Sequence, residues 1–141
     1  MNRKEAREAA FKVLFAHELV EKETSPYAMW TRAIEAEEYE QAAFADSLMS
    51  AISAHEAEIE QAIEQYAVGW KLSRISPVSR AILKIAICEL FYMPDIPKLV
   101  SLNEAIELSK TYDDEKAYVF VNGVLHATMS DPRVVKLEET V

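Results

Sequence analysis

The run from Ser76 to Met93, SPVSRAILKIAICELFYM, constrains this chain more than any other segment. Ser-Pro is a helix start: serine can accept from an early amide, and proline at the first helical position gives up no bonded N–H. Beyond it, Val78, Ala81, Ile82, Leu83, Ile85, Ala86, Ile87, Leu90 and Phe91 cover most of a helix circumference. A helix apolar nearly all round has to be central and largely surrounded. Pro94 and Pro97 stop it and force Asp95-Ile96 into an extended connector.

The rest of the sequence supplies amphipathic helices to surround it. Only two glycines occur, Gly69 and Gly123, and no alternating run reads as a strand. A first helix is expected over about Arg3 to Val20, capped by Asn2 with Glu5 completing a capping box, and with Ala6, Ala9, Ala10, Val13, Leu14 and His17 on one face. Ser25-Pro26 opens a short second helix carrying Met29, Trp30 and Ile34. A third, from about Tyr39, points Phe44, Leu48, Ala51 and Ile52 inward. It either runs on or breaks near His55 into the helix bearing Ile59, Ile63, Tyr66 and Ala67. Gly69 can end that helix in the left-handed conformation. After the central helix, Ser101-Leu102-Asn103-Glu104 reads as another capping box, with Leu102, Ala105, Ile106, Ser109 and Tyr112 on one face behind it. A last helix, about Asp114 to Met129, buries Ala117, Phe120, Val121, Val124 and Leu125, and Asp131-Pro132 ends it. The reading is an all-α domain of six to seven helices over residues 1–141. It divides near Gly69 into an N-terminal bundle of about 1–68 and a C-terminal bundle of about 69–130, followed by a frayed tail, 131–141.

The chain carries no catalytic constellation. His17, His55 and His126 are far apart and belong to no metal-ligand spacing, and two isolated glycines cannot cradle a phosphate. The single cysteine, Cys88, sits in the central apolar helix and reads as a small core residue. No segment has the length of a membrane helix, and the expectation is a cytoplasmic protein without enzymatic activity, metal or cofactor. Function must then come from surfaces.

The net charge of −9 is unevenly spread. Between Ala33 and Gly69 lie nine carboxylates (Glu35, Glu37, Glu38, Glu40, Asp46, Glu56, Glu58, Glu60 and Glu64) and no lysine or arginine. That segment is either a solvated helix face or a docking surface for a basic partner. From Lys71 to Lys84 the chain has Lys71, Arg74, Arg80 and Lys84 and no acid, so a local basic site is compatible with an acidic whole. The aromatics Trp30, Phe44, Tyr66 and Trp70 have core-like spacing and are expected to pack.

The N-terminal helix offers the clearest candidate surface. Arg3, Arg7, Phe11 and Phe15 follow one another at i+4, with Lys4 and Lys12 beside them. Cations next to aromatic rings are what single-stranded RNA requires, charge for phosphates and π faces for unpaired bases. The same residues could equally pack: the phenylalanines could close the core, and the arginines could pair with nearby glutamates.

The order of pieces between Gly69 and Leu125, above all DIPKLVSLNEAIELSK from Asp95 to Lys110 and FVNGVL from Phe120 to Leu125, resembles the NusB family of bacterial transcription antitermination factors. The resemblance spans about Arg3 to Thr128. It implies two small helical bundles packed across one another, and an N-terminal arginine-rich motif that binds boxA RNA. Ala6-Arg7-Glu8 and Leu14-Phe15 fit that motif, and Arg3 and Lys4 fall on its basic positions. Glu5 interrupts it, and Phe15 stands where tyrosine is frequent. The loop before FVNG lies near RNA in the family, which adds Lys116. The RNA-binding set implied is therefore Arg3, Lys4, Arg7, Phe15 and Lys116. The implied partners are boxA-type single-stranded RNA, the small-subunit ribosomal protein NusE, and an RNA polymerase antitermination complex on ribosomal RNA operons. The same domain also occurs fused to RNA cytosine methyltransferases; the expectation here is the free-standing factor. The rival reading is a helical protein–protein adaptor or homodimer, with the acidic middle as its working surface.

Overall fold

The computed structural model describes residues 1–20, 24–37 and 42–137. Among them are seven α-helices and one 3-10 turn: α1 Arg3–Leu19, α2 Pro26–Glu37, α3 Ala43–Ala54, α4 Glu56–Tyr66, the turn Leu72–Arg74, α5 Pro77–Tyr92, α6 Lys98–Tyr112 and α7 Glu115–Thr128. Tyr39, the expected start of the third helix, and the carboxylates Glu38 and Glu40 lie outside the described residues.

The local start signals act as their chemistry dictates. Asn2 Oδ1 accepts from the Glu5 amide at 2.8 Å, and the Glu5 carboxylate accepts in return from the Asn2 amide. Ser25 Oγ accepts from the Ala28 amide, Ser76 Oγ from Ser79 and Asp114 Oδ1 from Ala117, each satisfying an otherwise orphaned donor at a helix start. The third helix does break at His55. Its ring stacks on Tyr92 at 3.8 Å, and its backbone closes α3 and opens α4. Gly69 has φ +85°, a conformation that turns the chain away after α4 without a Cβ penalty.

One expected cap does not form. α6 begins at Lys98, a turn ahead of Ser101. Pro97, at φ −59°, already holds the chain at a helix-entry angle, and Ser101 is left inside the helix. There its hydroxyl donates to Glu89 Oε1 at 2.8 Å instead of capping.

α5 is the central element. It packs against α1, α3, α4, α6 and α7, and every residue from Ala81 to Leu90 is buried. α2 closes over α1 and α3. α4, grouped by sequence with the N-terminal half, packs chiefly on α5 and α7. One continuous apolar core runs from Ala6 and Leu14 through Leu48, Ile52 and Ile63 to Ile82, Ile87, Val121 and Leu125. Cys88 belongs to it, and burial, then the neighbouring Glu89, pushes its thiol pKa upward.

Residues 131–137 are tied down rather than frayed, while the rest of the expected frayed tail, 138–141, lies outside the described residues. Asp131 accepts from the Tyr66 hydroxyl and from the Arg133 backbone and guanidinium, and that guanidinium also lies over the Phe91 ring at 4.4 Å. Lys136 Nζ donates to the carbonyls of Glu89 at 2.6 Å and Met93 at 2.9 Å, and the Leu137 amide donates to Pro94 O. Lys136 thus adds a cationic donor at the C-terminus of α5, to carbonyls that also accept the Met93 and Ile96 amides, where the helix dipole favours positive charge.

Candidate nucleic-acid interface

The first turn of α1 presents two cations to solvent. Arg3 reaches Asp95 Oδ2 at 3.5 Å, and its guanidinium lies 4.7 Å from the centroid of the Phe44 ring, with more than half of the side chain exposed. A contact of that kind is weak and readily exchanged for a phosphate. Lys4 is exposed at the mouth of a small cleft between α1 and α6, where Glu8, Glu104 and Glu107 also lie.

Arg7 is not part of this surface. It stands one turn beyond Arg3 on the same stripe, yet only 3 % of it is exposed. Its Nε donates to Glu89 Oε2 at 2.7 Å and its Nη2 to Oε1 at 3.1 Å. Glu89 takes a third bond from Ser101. The expected phosphate contact is therefore corrected to a buried ion pair that ties α1 to α5 and, through Ser101, to α6. Arginine suits the place, since its planar fork matches a carboxylate and is always charged.

Phe11 and Phe15 divide between core and surface. Phe11 is buried and meets Tyr112 at 4.7 Å. Phe15 is only partly buried and lies near-parallel to Phe11, with ring centroids 6.1 Å apart. One face of Phe15 thus leans on the core, and the ring keeps a solvent-facing part.

Lys116 is exposed in the first turn of α7. It lines a groove of about 370 Å³ with Trp70, Arg74, Ile75, Ser79 and Phe120, away from the residues around Arg3 and Lys4. The expected site residues do not converge: two lie at the start of α1, one further along it, one on α7, and one inside. Trp70, expected to pack, is half exposed. Arg74 belongs to the acid-free stretch whose charge the sequence already singles out. The four cations of that stretch separate cleanly. Lys84 is completely buried among Glu18 at 2.6 Å and Glu56 and Glu60 at 3.3 Å each. Desolvation lowers the Lys84 pKa, but the hydrogen bond and charge of Glu18, with Glu60 and Glu56, outweigh it and raise the pKa. Arg80 pairs with Glu18 at 3.0 Å and bonds the Leu72 carbonyl. Lys71 and Arg74 remain at the surface. Part of the acidic middle is accordingly internal, with Glu56 and Glu60 on Lys84 and Asp46 accepting from Tyr27.

The histidines lie apart in the fold. His17 is buried, its Nε2–H donating to Thr24 O at 2.8 Å, His55 is stacked on Tyr92, and His126 is exposed. Among the described residues no helix is long and apolar enough to cross a membrane.

The model of the NusB family matches residues 4–130. The chain is 40% identical over 131 residues to the transcription antitermination protein NusB of Bacillus velezensis, covering 93% of this chain and 98% of that protein. With the NusB of Bacillus subtilis it shares 39% over 134 residues, covering 93% and 97%. Its fold matches the solved NusB of T. maritima with a TM-score of 0.84 at 32% identity, over 93% of this chain and 92% of that one. It also matches a crystal structure of the antitermination factors NusB and NusE in complex with dsRNA, with a TM-score of 0.79 at 29% identity over 90% and 95% of the chains. Fold and sequence agree along nearly the whole length: the chain belongs to the NusB family.

Proposed function

We propose that this protein is an RNA-binding transcription antitermination factor that takes boxA-type RNA jointly with NusE, acts in an antitermination complex with RNA polymerase on ribosomal RNA operons, and works in the cytoplasm by assembly without catalysis. The observation that carries the reading is the agreement, in fold and sequence, with the family member solved together with NusE and RNA. Arg3 and Lys4 on α1, the open part of the Phe15 ring and Lys116 on α7 are the proposed contacts. With Arg7 committed to Glu89, the cationic footprint of α1 is small, and a net charge of −9 repels a polyanion at long range. Binding by the chain alone is therefore weak. A basic ribosomal protein docked alongside widens the positive surface, and two sites on one strand gain from linkage.

The test is a mobility shift with boxA-like RNA, run with and without NusE. The expected result is clearly tighter and more sequence-selective binding by the pair than by either protein. Equal affinity in the two conditions, where the proteins demonstrably associate, overturns the joint mechanism and favours the adaptor or homodimer reading.

A further inference from the structure

The guanidinium of Arg3 has two neighbours of opposite chemistry. Its Cζ lies 4.7 Å from the centroid of the Phe44 ring, in the first turn of α3, and its Nη2 lies 3.5 Å from Asp95 Oδ2, on the connector between α5 and α6. The ring is itself held in place. It is partly buried against the core, and Arg7, locked onto Glu89 at 2.7 and 3.1 Å, stands 5.0 Å from its centroid. A chain of contacts thus runs from the buried Glu89 through Arg7 and Phe44 to Arg3 at the surface. Asp95, by contrast, is more than half exposed. Arg3, Phe44, Ser47 and Asp95 line one hollow of about 580 Å³, so a ligand has room to approach the guanidinium from solvent.

The two neighbours make different demands on the cation. An aromatic ring attracts a guanidinium electrostatically through its π face and uses up none of the N–H donors. A carboxylate accepts from the N–H edge, which is the edge a phosphate also needs. The ring can therefore stay when a phosphate binds, whereas the carboxylate has to give way. A long side chain ordered in advance also spares part of the entropy that binding costs. We infer that Phe44 is a positioning residue for RNA binding, holding Arg3 ready for a phosphate, and that Asp95 is a resident competitor that RNA displaces. This rests on the RNA reading above. It assigns roles to α3 and to the connector between α5 and α6, neither of which belongs to the basic motif of α1.

Double-mutant cycles through Arg3 test both roles. Affinity for a labelled boxA-like single strand is read by anisotropy with NusE present. Phe44→Leu keeps an apolar side chain against the core but removes the ring, and should weaken binding about 2- to 5-fold. Phe44→Tyr, which keeps the ring, should bind as the wild type does. Asp95→Asn removes the competing charge without touching the core, and should tighten binding by up to about 5-fold. In an Arg3→Ala background both effects should vanish. Neither a merely structural role for the ring nor a general charge effect of Asp95 produces that coupling. In the free protein the Arg3 Hδ protons should resonate upfield beside the ring and lose that shift in Phe44→Leu. Helical content checks that Phe44→Leu is folded, and the Asp95 cycle does not depend on it. Effects that persist undiminished in the Arg3→Ala background overturn the inference. Wild-type affinity in Phe44→Leu and Asp95→Asn, with Arg3→Ala impaired, overturns it and leaves the Arg3 contact standing. RNA binding that Arg3→Ala leaves unchanged overturns it while the RNA reading survives, and absence of RNA binding in every condition overturns both.

Discussion

At the scale of single residues, the contrast between Arg3 and Arg7 decides most. They are one helical turn apart with the same side chain, yet one faces water and the other is enclosed with Glu89 and Ser101. Arg7→Ala leaves a buried carboxylate with one hydroxyl donor and should cost about 3–5 kcal/mol, whereas Arg3→Ala should cost about 1 kcal/mol or less, as read by denaturant unfolding. The double variant Arg3→Ala with Lys4→Ala should instead lower the salt slope of RNA binding by about 1.4, at roughly 0.7 per phosphate contact, with the fold unchanged. An unaltered slope there removes the start of α1 from the interface. Phe15 calls for paired measurements. If a base stacks on its open face, Phe15→Ala should lose about 1–3 kcal/mol of RNA affinity with only a small drop in melting temperature, and Phe15→Tyr should be tolerated. Phe11→Ala, with its ring against Tyr112, should by contrast lose about 3–5 kcal/mol of fold stability.

At the scale of elements, the C-terminal segment is a clasp on α5. Lys136→Ala strips the carbonyls of Glu89 and Met93 of a shared donor and should destabilise by about 1–3 kcal/mol, visible as faster amide exchange at the end of α5. The clasp also has a pH signature. The hydrogen bond from Arg133, and after it that from Tyr66, hold the Asp131 carboxyl below the ordinary aspartate range against the opposing effect of burial. A depressed carboxylate contributes stability that is complete above its unfolded pKa, near 3.8, and is lost as pH falls through the lower folded value. Stability lost by Asp131→Asn should therefore be full at neutral pH and should vanish in strong acid, as read by unfolding at a series of pH values. Within α7, a Cβ at Gly123 meets nothing within 4 Å, so helix propensity alone governs Gly123→Ala. It should stabilise by about 0.5–1 kcal/mol, and a thermal melt checks it.

At the scale of the whole molecule, an acidic chain keeps its basic surface by placing cations unequally. Lys84 and Arg80 sink into the interior with Glu18, while Arg3, Lys4, Arg74 and Lys116 stay at the surface. Much of the architecture is already legible in residue order, because the forces that set it act within one or two turns. An apolar circumference places α5 at the centre, and Asn2, Ser76 and Asp114 start helices by bonding amides three residues away. Gly69 permits the left-handed turn after α4, and the motifs around α6 and FVNGVL carry the family. The destination of each charge and ring is another matter. Arg7 meets a carboxylate 82 residues away, and no spacing rule along a helix distinguishes it from Arg3. Trp70 reads as core by its spacing and is left half in water by the turn before it; Ser101 reads as a cap and becomes a donor to Glu89. The segment after Asp131 reads as a loose end until Tyr66 and the terminal carbonyls of α5 are brought to it. Most helix starts and the buried core thus follow from local bonding and hydrophobic periodicity, which the sequence by itself determines, whereas the start of α6 and the break at His55 are set by packing. Which cations remain free for RNA depends on pairings between distant segments, and only the packed tertiary structure decides those.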